Sequence, residues 1–101
     1  MNPFAHFTLK LPANYDEASA EMRRQLREEY VRRQDGRCWH CNKPLNEPPT
    51  QLVQLSGIDP ALFPPGFFNH PIHLHHHHQT GMTIGAVHSR CNAYLWQYKG
   101  E

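Results

Sequence analysis

Two short motifs of equal spacing, C-x2-C at Cys38 and Cys41 and H-x2-C at His88 and Cys91, constrain this chain more than any other feature. They lie 46 residues apart and use all three cysteines. An odd cysteine count argues against a disulfide framework, and matched spacing is poorly explained by thiols that merely fill a core as small hydrophobes. Together the four side chains make a Cys3His set suited to tetrahedral zinc. Four protein ligands leave no open position, so this zinc is expected to hold the fold and to do no chemistry. Chain size explains the need. A single domain of 101 residues buries only about 60–68% of the surface its unfolded chain exposes, which leaves a small apolar core.

Composition narrows the class further. The chain is 39% hydrophobic, has nine prolines and a mean hydropathy of −0.74. No apolar run approaches the roughly 18–20 residues that span a bilayer. The start, "MNPFAHFTLKLP", lacks a charged region followed by an apolar stretch, so a cytoplasmic, reducing location is expected, with no membrane partner. A formal net charge of +1 gives no broad electrostatic footprint, so binding to a polyanion should be modest and salt-dependent.

Along the chain, residues 1–13 read as an irregular arm and residues 14–35 as a helix. Asn14 or Asp16 is an N-cap candidate, Ala18, Met22, Leu26 and Tyr30 recur every four residues, and Gly36 is placed to stop the helix. Its acidic start and its basic end at Arg32 and Arg33 suit the helix dipole, and the charges read first as a solvated face. The lesser reading is a phosphate-binding patch of Arg32, Arg33, Arg37 and Lys43. Residues 36–43 hold the first knuckle. Residues 44–71 contain seven of the nine prolines, which excludes a long helix and leaves room for one short strand near Leu52–Leu55. Leu62, Phe63, Phe67 and Phe68 are expected to cover part of the core.

Residues 72–100 carry the second unusual feature, "IHLHHHHQTG", with four consecutive histidines from His75 to His78. An internal run is not a purification tag. "PIHLHHH" reads as a strand, "HQTG" as a turn, "MTIGAV" as a second strand leading to His88, and "CNAYLWQYKG" as a helix that Asn92 caps or opens. Alternation along a strand sends His75 and His77 to one face and His76 and His78 to the other, so their roles must differ.

With these residues in view, "QDGRCWHCNKPL" followed by "LHHHHQTGMTIGAVHSRCNAYL" resembles the phage recombination endonuclease VII branch of the HNH, or ββα-metal, nucleases. That branch shows a C-x2-C pair, then Leu-Asp-His-Asp-His with a Thr-Gly turn, then Arg-Gly-Leu-Leu-Cys-x2-Cys-Asn. The resemblance covers residues 30–45 and 74–95. It implies an α+β fold: a small zinc-stapled ββα-metal (His-Me finger) nuclease domain preceded by an N-terminal helix.

The resemblance also implies roles. His75 stands where the branch has its metal-binding aspartate, His76 matches the catalytic histidine, His78 the second histidine, and Asn92 the asparagine that also binds metal. His75 and Asn92 would hold a divalent cation, and neutral His76 would take a proton from water. His78 would position a phosphate or add a ligand, while His70, His73 and His77 would pack or face solvent. The chain departs from the pattern at His88, which zinc tolerates, and at His75. With no acidic residue between Pro60 and Gly100, the cation site is softer than a carboxylate one. It should favour Mn2+, Co2+, Ni2+ or Zn2+ over Mg2+.

The function so implied is metal-dependent DNA endonuclease activity leaving 5′-phosphate and 3′-hydroxyl ends, in host cytoplasm if the source is a phage. The alternative is a zinc-stabilised, non-catalytic DNA- or protein-binding module. A histidine-rich metal store leaves "QTG", "CN" and the knuckles unexplained. The chain ends nine residues after Asn92, so a dimer would need another seam, such as Met22, Leu26 and Tyr30. Monomer and homodimer both remain open.

Overall fold

The computed structural model describes residues 9–101, so the first eight residues of the expected arm lie outside it. The chain forms an α+β unit: helix α1 (Ala20–Arg33), short helix α2 (Gln51–Leu55), hairpin strands β1 (Ile72–His76) and β2 (Thr83–His88), and helix α3 (Ser89–Lys99). No helix among the described residues is long and apolar enough to cross a membrane.

Helix α1 starts later than the sequence suggests. Ser19 is its N-cap, with Oγ accepting the Met22 N–H at 3.1 Å. Asn14 caps only a turn, its Oδ1 accepting from Glu17 N–H at 3.1 Å. The reason is tertiary. Residues 13–15 are committed to the hairpin, because Thr83 N–H donates to Ala13 O at 2.8 Å and Tyr15 N–H to Gly81 O at 2.7 Å. Leu26 and Tyr30 are buried, and the Tyr30 and Thr83 hydroxyls meet at 2.7 Å. The suggested dimer seam is therefore used up by the chain's own core, and only Met22 of the three stays exposed. Gly36, at φ +74°, ends the helical region as expected.

The expected strand near Leu52–Leu55 is helix α2 instead. Only Val53 of this helix is buried. Its C-terminal carbonyls are satisfied by Arg90 of α3, whose guanidinium donates to Val53 O, Gln54 O and Ser56 O at 3.0–3.2 Å. The carbonyls of a helix end need such donor partners, and here a residue 34 or more positions away supplies them.

Strands β1 and β2 pair antiparallel, with His73 opposite Val87, Leu74 opposite Ala86 and His75 opposite Gly85; the register then shifts, so that His76 faces Thr83. The turn closes through Gly81, at φ +76°. The outer edge of β2 takes the first knuckle: Trp39 N–H donates to Ala86 O, and the Gln34 side chain both donates to Ala86 O and accepts from Ala86 N–H, each at 2.9 Å. Helix α3 follows β2 without a loop. Its N-cap position is His88, so Asn92 lies inside the helix and does not cap it. Leu26, Tyr30, Leu45, Val53, Leu74, Ala86 and Val87 form the core with Cys38 and Cys91.

Candidate metal staple and histidine groove

The two knuckles meet. The ligand atoms of Cys38, Cys41, His88 and Cys91 all lie within 4.8 Å of one another, and this is the only such group among the described residues. His88 Nδ1 is 3.5 Å from Cys41 Sγ and 3.6 Å from Cys91 Sγ. Tetrahedral zinc with ordinary bond lengths separates a sulfur from a nitrogen by about 3.6 Å, so the spacing fits. The other ring nitrogen, Nε2, faces the carbonyls of Pro44 at 3.0 Å and Glu47 at 2.8 Å. Carbonyls only accept, so Nε2 carries the proton and Nδ1 presents its lone pair to the sulfurs, the tautomer a metal requires. A hydrogen bond from Cys91, with smaller help from the backbone N–H groups of Cys41, His88 and His40, outweighs burial and holds the Cys38 thiol down to about 4. The cluster can thus hold a structural metal ion such as zinc.

The histidine run lies beside a separate groove of about 550 Å³. Ile72, Leu74 and His76 reach it from one side of β1 and His73 from the other, so it follows that strand's outer edge, which has no partner strand among the described residues. His76, His78 and Asn92 all line it, although Asn92 is distant in sequence. The His76 ring stacks on Tyr15 at 3.8 Å and meets the His78 ring edge-on at 5.1 Å. Arg23 covers Tyr15 at 3.9 Å and donates to its carbonyl at 2.9 Å. Arg23 and Arg27 line the groove, and no carboxylate does.

His75 is placed differently from its neighbours. It does not line the groove, is only 1% exposed, and tilts against Trp39 at 5.7 Å. Its Nε2 has no hydrogen-bond partner, while the Asn92 amide acts on the ring. Its buried Nε2 is thus left without a partner, and no group of three His, Cys, Asp or Glu side chains gathers around it among the described residues. Burial lowers the pKa of His73 and His75, and burial followed by the adjacent His78 lowers that of His76. In all three the shift favours the neutral imidazole.

Three sequence expectations change here. His73 neither faces solvent nor merely packs: its Nδ1 is 3.1 Å from Asn92 Nδ2, and its ring meets Phe67 edge-on at 4.6 Å. Alternation with His75 could have placed it on the helix side. The basic patch is elsewhere, since Glu29 binds Arg32 and Arg33, and Arg37 donates to Asn42 O. Arg23 and Arg27, four apart on α1, take its place at the groove. Leu62, Phe63, Phe67 and Phe68 form no part of the buried core and gather near Trp96. His77 and His70 are exposed as expected, although His70 borders the groove. Comparison with protein-family models, curated proteins and solved structures finds no match.

Proposed function

We propose that the chain is a metal-dependent DNA endonuclease of HNH type, with the ββα-metal core formed by β1, β2 and α3 and with zinc in the Cys3His staple. One observation carries the reading: His76, His78 and Asn92, three of the four positions implied by the family resemblance, share a groove that also holds two arginines and no carboxylate. That charge pattern suits a phosphodiester.

His76 acts as the general base. Its neutral ring accepts a proton from water, and the oxygen so freed attacks phosphorus as the 3′ oxygen departs. Tyr15 fixes the plane of the imidazole through the stack, and Arg23 in turn fixes Tyr15. Arg23 and Arg27 hold the phosphate oxygens, with His78 beside them. A divalent cation held by His75 and Asn92 would supply charge neutralisation at the phosphate and the leaving oxygen.

The burial of His75 favours a second reading, a zinc-held module that binds DNA without cutting it. A plasmid-nicking assay across Mg2+, Mn2+, Co2+, Ni2+ and Zn2+ separates the two. Wild type should nick. His76→Ala should lose about 10²–10⁴-fold in rate while keeping zinc and fold, whereas His77→Ala, which removes an exposed ring, should cut nearly as well as wild type. A mobility shift without cleavage in every metal would select the binding module.

A further inference from the structure

A second cleft, of about 260 Å³, opens beside the groove. Leu62, Phe63, Phe67 and Trp96 line it, and His78 and Asn92 belong to both cavities. Its rings are not core: none of them is buried, and Trp96 is 42% exposed. They nonetheless have fixed places. Phe63 lies 4.7 Å from Phe67 and 5.5 Å from Trp96. The segment bearing them is tied to α3 by Gln97, which accepts from Asp59 N–H at 3.1 Å and donates to Gly57 O at 2.7 Å. Apart from His78 and Asn92 at the border it shares with the groove, the cleft is lined by apolar side chains and has no Lys, Arg, Asp or Glu. The groove beside it has two arginines and no carboxylate.

We propose that this cleft is a subsite for an unpaired nucleobase of the strand whose phosphate occupies the groove, which makes single-stranded or locally unpaired DNA the substrate class. The inference rests on the nuclease reading. A nucleic-acid strand alternates anionic phosphates with flat aromatic bases, and the two adjoining cavities repeat that alternation. A base inside a duplex cannot enter, because its neighbours cover both faces and its partner covers its edge. An unpaired base stacks on Trp96 or Phe63 without regard to sequence, since every base offers a π-face.

Fluorescence anisotropy tests this with full-length, zinc-loaded protein and no added divalent cation. The probes are a labelled oligothymidine, an abasic strand of equal length, and a duplex, all at one salt concentration. The two single strands carry equal charge, so the ratio of their affinities isolates the bases. Wild type should bind oligothymidine more tightly than either other probe. Trp96→Ala should lower the oligothymidine-to-abasic ratio by about 5- to 100-fold, and Trp96→Tyr should keep most of it. Equal affinity of wild type for oligothymidine and abasic strands, or a ratio that survives Trp96→Ala in a folded, zinc-loaded protein, would overturn the subsite. If DNA is cleaved all the same, the nuclease reading stands without it. Absence of both binding and cleavage would overturn the two together.

Discussion

His75 and His76 are adjacent in sequence and opposite in surroundings. His75 is sealed against Trp39 with one nitrogen unpartnered, while His76 opens on the groove and rests on Tyr15. A strand reverses its side chains at every residue, so one neighbour is sealed against the knuckle while the other meets the open groove. On the nuclease proposal, introducing at position 75 the carboxylate of the pattern that the chain resembles, with His75→Asp, should shift the metal preference of cleavage toward Mg2+, a harder ion that favours oxygen. Initial rates in Mg2+ and Mn2+ measure it, and an unchanged ratio would remove His75 from the cation site. For His76 the sign of the pH effect follows from burial and His78, which hold its pKa below the usual 6.5. The proton-accepting form persists at pH 7, and the rate should fall only as pH drops through a value below 6.5. A kcat/KM profile with its acid limb above 6.5 would point to another base.

At the scale of elements, β2 is the hub, and Gly85 is the residue that lets it be one. A Cβ there would sit 2.9 Å from Cβ and Cγ of Trp39 and from Gln34 Oε1. The bare backbone allows Trp39, inside the first knuckle, to lie on the strand just across from His75. Glycine within a strand often marks such a close approach. Gly85→Ala should therefore destabilise the protein by about 1–3 kcal/mol through overpacking, since the atoms it meets are the stem of Trp39 and not a flexible tip. Urea denaturation with zinc present measures this, and an unshifted midpoint would mean that Trp39 is free to move. Helix α2 teaches a related lesson. Its short apolar segment suits a strand or a helix, and Arg90 on α3 tips it by donating to the carbonyls at its end.

At the scale of the whole molecule, the staple joins the segment after α1 to the junction of β2 and α3. His88 and Cys91 come from that junction, and Cys38 and Cys41 from the knuckle hydrogen-bonded to the edge of β2. The buried core is small, and two of its members, Cys38 and Cys91, belong to the cluster that could hold the metal. Metal affinity and folding should then be one equilibrium, worth roughly 10 kcal/mol at such sites. Purified protein should hold one zinc per chain. A strong chelator, or Cys41→Ser or Cys91→Ser, should abolish the cooperative unfolding transition seen by circular dichroism. A folded protein with no metal by elemental analysis would refute the assignment.

The sequence by itself determined the features written in local chemistry. Two knuckles of equal spacing announced the Cys3His cluster, alternation with a Thr-Gly turn announced the hairpin, and Gly36 and Gly100 marked helix ends. Each depends on spacing or on one residue's conformational range, which neighbours in the chain reveal. Tertiary structure alone decided the rest. Asn14 and Tyr15 were taken from the expected helix by hydrogen bonds between residues 13–15 and the hairpin, and Leu52–Leu55 became helical beside Arg90. His73 turned toward an amide 19 positions away. Arg23 and Arg27 reached the groove while Glu29 neutralised the more conspicuous Arg32 and Arg33. The physical reason is common to the first three: a backbone carbonyl or an amide takes whichever partner the folded chain brings within about 3 Å, and sequence distance does not predict which one that is. The Glu29 pairs, by contrast, follow from helix spacing, and only the placing of Arg23 and Arg27 needed the fold.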